Sequence, residues 1–239
     1  MKLFSLAKLK LPSLSKWIGI HYRRLFPYLA GGMVVALLLL VFAELTEELL
    51  EDELSGFDSA VESIVRSWTG GRWDPVMVGI THVGSGWVQV GLLLGSVALL
   101  LRTGHKARAL VLTVCLGGGW LLNYALKALF QRSRPALERL VEAGGYSFPS
   151  GHAMVSMCFY GMLGYLAWGA WRSRDRAYGA LFFAAGLLLA GLIGFSRIYL
   201  GVHYASDVVA GFAAGGTWLL SCIGGLAAIR RWGGTEIRR

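Results

Sequence analysis

The chain has 239 residues, of which 55% are hydrophobic and 15% charged, with a mean hydropathy of +0.56. Soluble domains carry about a quarter charged residues, so this composition excludes an ordinary soluble fold and indicates a membrane protein. The net charge of +9 is spread over short segments and forms no basic surface interleaved with aromatics, which excludes a nucleic-acid-binding module.

Residues 1–25 read as a basic tail containing Lys2, Lys8, Lys10, Lys16, Arg23 and Arg24. Between residues 26 and 229, six stretches lack Asp, Glu, Lys and Arg over roughly the 17 to 25 residues that a spanning helix needs. They lie at about 26–43, 76–101, 109–126, 150–171, 177–196 and 208–229. The predicted fold is all-α, a six-transmembrane-helix bundle followed by a second basic tail at 230–239. A cleavable signal peptide is not expected, because the first apolar stretch has full spanning length and runs into Glu44 without a small-residue cleavage pattern.

The first connection opens on an acidic run, Glu44, Glu47, Glu48, Glu51, Asp52 and Glu53. After it, Phe57, Ala60, Val61, Ile64, Val65 and Trp68 recur at helical spacing, while Asp58, Glu62 and Arg66 take the other face. This pattern predicts a short amphipathic helix along the outer membrane surface, serving as a strut or a lipid gate. Trp73 and Trp87 flank the start of the second stretch as interfacial anchors.

Most of the 23 Lys and Arg residues sit in the two tails, in the second connection (Arg102, Lys106, Arg108) and in the fourth (Arg172, Arg174, Arg176). The acidic residues concentrate in the first, third and fifth connections. The positive-inside rule therefore predicts both termini in the cytoplasm and the odd-numbered connections outside. Glycines such as Gly117-Gly118-Gly119 and Gly215-Gly216 suit close helix packing, and Cys115, Cys158 and Cys222 read as buried thiols without a disulfide or a metal. His21 and His105 belong to basic surface segments, and His82 reads as a structural histidine.

Three segments in the second half form one set: Lys127-x6-Arg134-Pro135, Pro149-Ser150-Gly151-His152, and Ser196-Arg197-x5-His203-x3-Asp207. All lie on the third and fifth connections or the helix ends beside them, so the expected topology brings them to one extracytoplasmic face. Lys127, Arg134 and Arg197 supply the cations that bind phosphate oxygens and stabilise charge spreading over them during transfer, without a metal. Ser150 and Gly151, at the start of the fourth stretch, add a hydroxyl and backbone N–H groups aided by the helix dipole. His203 and Asp207 are four apart, so one helical face carries both, and the carboxylate can accept one ring proton while leaving the other nitrogen free to attack phosphorus.

The three motifs match the K-x6-RP, PSGH and SR-x5-H-x3-D signature of the type 2 phosphatidic acid phosphatase superfamily. Over roughly residues 76 to 229 the chain resembles an integral membrane member of that group. With short loops and no added domains it looks most like the bacterial phosphatidylglycerophosphatase B and undecaprenyl diphosphate phosphatase branch. The resemblance implies a phosphohistidine intermediate at His203, with Asp207 orienting that ring and His152 as general acid and then general base. It implies no cofactor and no metal, and hydrolysis of phosphatidylglycerophosphate, undecaprenyl diphosphate or phosphatidate at the outer face of the cytoplasmic membrane.

Membrane lipids are then the expected partners, with no obligatory protein partner. A soluble phosphate ester remains open as substrate, and so does a non-catalytic lipid-binding or transport protein on the same bundle. Pure binding, however, needs the cations and not an oriented imidazole. Vanadium haloperoxidases resemble the same motifs but are soluble enzymes. Arg132 and Ser133 lie inside the first motif without being fixed by it, so whether Arg132 touches a lipid headgroup stays open; Tyr199 and Gly201 read as shaping the turn before His203.

Overall fold

The computed structural model of the protein describes residues 14–136, 139–171 and 175–232, with side chains described from Phe26 onward except those of residues 27, 176 and 230–232. The side chain of His21, and most of the tail and fourth-connection cations, fall outside the described part. Eight helices follow in order: α1 (Leu14–Leu50), α2 (Ser55–Arg66), α3 (Asp74–Val83), α4 (Gly86–Arg102), α5 (Lys106–Phe130), α6 (Gly151–Trp171), α7 (Arg176–Tyr199) and α8 (Ala205–Trp232). No strand occurs among the described residues. Five helices are individually long and apolar enough to cross a membrane, and α3 with α4 makes a sixth crossing when the bent pair is taken as one.

α6 is the hub of the bundle and packs on α5, α7 and α8. Its sequence is apolar all round, as a helix enclosed by neighbours requires. Phe159, Cys158 and Met162 of α6 meet Leu112, Cys115 and Leu116 of α5, Ile193 of α7 and Leu226 of α8 in one core. All three cysteines are buried and free. The outward faces carry Leu29, Met33, Leu40, Leu94, Leu99, Leu121 and Leu188, each more than half exposed, the apolar belt of a protein immersed in lipid. Two predicted close approaches are present: Gly118 lies against the Trp218 indole, and Gly215 against the backbone of Met154.

Two boundaries differ from the sequence reading. The first spanning helix does not stop near 43: α1 runs on to Leu50, because the Glu residues from 44 onward are good helix formers that extend it. The chain then reverses at Asp52, whose φ is 61°. The stretch at 76–101 is not one helix: it is bent by 47° between α3 and α4. The break falls at Gly84-Ser85, where Ser85 is extended and its hydroxyl donates to the His82 carbonyl at 2.5 Å.

The amphipathic helix exists as α2, but its faces are not divided as the pattern suggested. Phe57, Ile64 and Trp68 are about half exposed, whereas Asp58, assigned to the polar outer face, is only 3% exposed. Val65 and Leu54 share its buried side, Val65 packing with Tyr199, Leu200 and Val202. Asp58 is tolerated there because it is paired, as described below.

Candidate active site

The three motifs meet at one end of the bundle, each at a helix terminus. Lys127 lies in the last turn of α5, and Arg134 follows on the loop that leaves it. Ser150, Gly151 and His152 begin α6, Arg197 ends α7, and His203 and Asp207 straddle the start of α8. Gly201, at φ 70°, makes the left-handed turn that carries the chain from α7 back to His203. Tyr199 shapes the same turn by donating its hydroxyl hydrogen bond toward Asp74 Oδ1 (2.7 Å) and the Trp68 carbonyl (2.8 Å).

His203 is 4% exposed and its ring is fixed at both nitrogens. Arg134 Nη1 lies 3.1 Å from Nε2. A guanidinium has only donors, so Nε2 must accept and therefore carries the lone pair. The proton is then on Nδ1, which faces Asp207 Oδ2 and Ser147 Oγ, both at 3.3 Å. Burial, the largest influence, pushes the imidazole pKa down to about 3 in spite of the Asp207 carboxylate, so the ring is neutral at physiological pH.

Asp207 is fully buried and is held by donors besides His203. Its Oδ2 accepts from the Ser147 hydroxyl at 2.5 Å and the Tyr204 backbone N–H at 3.0 Å, and its Oδ1 accepts from Arg132 Nη1 at 2.7 Å. Arg132 also donates to Asp58 Oδ2 at 2.8 Å and Ser206 Oγ at 2.7 Å. Burial pulls the Arg132 guanidinium down, but Asp207 and Asp58 outweigh it and hold it above its ordinary value. Arg132 therefore turns inward to two carboxylates, which answers the question of a headgroup contact: its fork is already engaged.

The phosphate-binding candidates surround the rings. Arg134 is held by the carbonyls of Gly145 (3.0 Å), Gly144 (2.8 Å) and Val202 (2.7 Å). Burial lowers its pKa, with Asp207 opposing, but a guanidinium so held stays charged. Lys127 Nζ donates to the carbonyls of Tyr146 and, at 3.2 Å, Ser147. Arg197 is 5% exposed and donates from Nη1 to Thr81 Oγ1 at 2.6 Å. Among the described residues, its Nε and the Ser150 hydroxyl are buried without a hydrogen-bond partner, two donors available to an oxyanion.

His152 lies within electrostatic reach of Arg197, His203, Arg134 and Lys127. The turn before it is clamped from both sides. The Ser150 N–H donates to the Asp207 carbonyl at 2.9 Å, so this N–H is engaged and the oxyanion role expected at Ser150 rests on its hydroxyl. Asn123 of α5 donates to the Pro149 carbonyl at 3.2 Å. A Cβ on Gly151 would stand 2.8 Å from Asn123 Oδ1, and one on Gly211 2.7 Å from the Ser150 carbonyl oxygen. The glycine of the PSGH motif is thus required by helix packing at least as much as by phosphate. Among the described residues, no group of three His, Cys, Asp or Glu side chains is placed to hold a metal ion.

Residues 108–230 match the family model of the PAP2 superfamily. The chain belongs to that superfamily, as a hydrolase of its membrane lipid-phosphatase branch. It is 34% identical over 140 residues to phosphatidylglycerophosphatase B of Bacillus subtilis (strain 168), covering 59% of this chain and 68% of that protein. It is 33% identical over 126 residues to the putative undecaprenyl-diphosphatase YbjG of Escherichia coli (strain K12), covering 51% of this chain and 57% of that one. The fold is similar to the crystal structure of a transmembrane PAP2-type phosphatidylglycerolphosphate phosphatase from Bacillus subtilis, with a TM-score of 0.76 at 28% identity over 83% of this chain and 98% of that chain.

Sequence reasoning gave no part in the site to Ser147, Thr81 or Asn123, and it set Asp58 on the polar face of the surface helix. Thr81 and Asn123 sit in apolar stretches where a buried polar residue is costly unless paired, and that cost was the available signal. Ser147 stands two residues before the PSGH motif, with nothing in its spacing to separate it from a loop serine.

Proposed function

We propose that this protein is a metal-independent lipid phosphatase that transfers the terminal phosphoryl group of a lipid phosphate or diphosphate first to His203 and then to water. The observation that carries the reading is the contact of Arg134 Nη1, a donor only, with His203 Nε2, which leaves the lone pair on Nε2 and turns the Nδ1 proton toward Asp207 and Ser147. A purely binding site gains nothing from an imidazole prepared in that way.

In the first step Nε2 attacks phosphorus, the N–P bond forms and the bond to the lipid oxygen breaks. Protonated His152 gives its proton to that oxygen. The carboxylate of Asp207 stabilises the positive charge gained by His203, and Arg134, Arg197 and Lys127 hold the phosphoryl oxygens as charge spreads over them. In the second step His152 removes a proton from water, the oxygen attacks phosphorus, and phosphate leaves as the N–P bond breaks.

The site's place at the bundle mouth suits an amphiphile whose tails remain in the bilayer. The Lys and Arg distribution supports a site on the extracytoplasmic side of the cytoplasmic membrane with both termini inside. The relatives make phosphatidylglycerophosphate and undecaprenyl diphosphate the first substrates to test, with phosphatidate beside them. Purified protein in excess EDTA should release phosphate from at least one of the three, and acid-labile, base-stable phosphate should be trapped on His203. Loss of activity to the chelator with recovery on adding magnesium, or full activity of His203→Ala, would refute the mechanism.

A further inference from the structure

Asp58 is a carboxylate buried on α2, an element outside all three motifs. Its Oδ1 accepts from the Ser206 backbone N–H at 2.9 Å, and its Oδ2 from the Ser206 hydroxyl at 2.7 Å and from Arg132 Nη2 at 2.8 Å. The same Arg132 places Nη1 on Asp207 Oδ1 at 2.7 Å, and its guanidinium lies over the Tyr204 ring at 4.1 Å. One planar fork therefore bridges two carboxylates, one on the surface helix and one beside the reacting imidazole. Among the described residues, neither Asp58 nor Arg132 is hydrogen-bonded to His203 or to the cations assigned to phosphate.

We propose that Asp58 is a positioning residue for phosphoryl transfer, acting through Arg132 to fix the plane of the Asp207 carboxylate and so the aim of His203. The physical need is clear from Asp207 itself. The terminal torsion of a carboxylate is soft, and the Ser147 hydroxyl at 2.5 Å and the Tyr204 N–H at 3.0 Å both grip the same oxygen, Oδ2. The charge-assisted bond from Arg132 at 2.7 Å holds the opposite oxygen, Oδ1, so the plane is gripped from both sides. Arg132 lies on a loop beyond the end of α5, so its fork needs an anchor at the second nitrogen, and Asp58 supplies one with charge-assisted geometry. The alternative is that Asp58 merely docks α2 onto α8 through Ser206.

This inference rests on His203 being the nucleophile. The test measures kcat and KM on a lipid phosphate for Asp58→Asn, Arg132→Met and the double variant, with His203→Ala beside them. The Asp58→Asn variant must show an unfolding midpoint near that of the parent protein, which separates lost aim from lost fold. Asp58→Asn sets an amide N–H against the N–H of Arg132 or of Ser206, so kcat should fall about tenfold with KM unchanged. In the Arg132→Met background the same substitution should cost nothing further in kcat, because the route to Asp207 is already cut.

A full kcat in Asp58→Asn, a change confined to KM, or a kcat loss that persists undiminished in the Arg132→Met background would overturn the proposal. If Asp58→Asn does not fold, Arg132→Lys decides. Its ammonium can meet one carboxylate but not bridge two as a fork, so the same loss in kcat is expected and an unchanged kcat overturns the proposal. Activity surviving in His203→Ala would instead indict the nucleophile assignment, whatever Asp58 does.

Discussion

Arg134 Nη1 stands 3.1 Å from Nε2 of His203, so the nitrogen proposed to attack phosphorus is covered by a group that only donates. The imidazole is consequently neutral, and burial holds its pKa near 3, below the ordinary value of about 6.5. The unfolded chain therefore binds a proton that the folded chain refuses between those two values. Stability from this group is fully present above about pH 6.5 and is lost as pH falls toward the folded value, at about 1.4 kcal/mol per pH unit. The detergent-solubilised protein should lose thermal stability on acidification through that window, and His203→Asn should lose less. Parallel pH slopes for the two proteins would contradict a buried neutral ring.

Much of this architecture was readable because lipid and catalysis each impose a strict pattern. Six charge-free stretches forecast the bundle, and three fixed spacings forecast which side chains converge at its end. The parts that were missed depend on distances between segments far apart in sequence. Nothing in the periodicity of α2 distinguishes Asp58 from Glu62, since both fall on the polar side of the pattern; Arg132 and Ser206, 74 and 148 residues away, let one of them turn inward. The 47° break in the second stretch was equally hidden, because Gly84-Ser85 can lie within a continuous helix unless a neighbour demands the bend.

Gly84 shows what that neighbour is. A Cβ at this position would collide with Ile193 Cγ2 and stand 3.0 Å from His152 Cδ2. The backbone there has φ −81°, which alanine adopts freely, so any effect of Gly84→Ala comes from crowding. Overpacking of this kind costs about 1 to 3 kcal/mol, and displacement of His152 should lower kcat about tenfold or more. Gly91→Ala, where a new Cβ meets nothing within 4 Å, is the matched control and should behave as the parent protein. Equal kcat for the two variants would show that His152 does not feel the break.

The proposed orientation is open to direct labelling. Glu142 lies on the exposed loop between Arg134 and the PSGH turn, and Asp175 caps the start of α7 by accepting from the Ala177 N–H at 2.7 Å. In a variant lacking the three native cysteines, Glu142→Cys should react with a membrane-impermeant maleimide in intact cells. Asp175→Cys should react only after permeabilisation. The opposite pattern would put the catalytic end in the cytoplasm and remove the positive-inside argument for the site's location.

The two histidines can be separated by the leaving group. His203→Ala should abolish turnover of every substrate, because even a good leaving group cannot replace the nucleophile that forms the N–P bond. His152→Ala should discriminate. An alkyl lipid oxygen needs a proton as it departs, whereas the nitrophenolate of p-nitrophenyl phosphate does not, so phosphoenzyme formation in this variant should be far less impaired with the aryl ester. Water attack still lacks its general base, and the phosphoenzyme should accumulate. Rapid mixing of His152→Ala with p-nitrophenyl phosphate should then give a burst of nitrophenol of about one equivalent per active site, followed by slow turnover. Equal losses in the first step for aryl and lipid substrates, or phosphate trapped on His152, would reverse the roles assigned to the two rings.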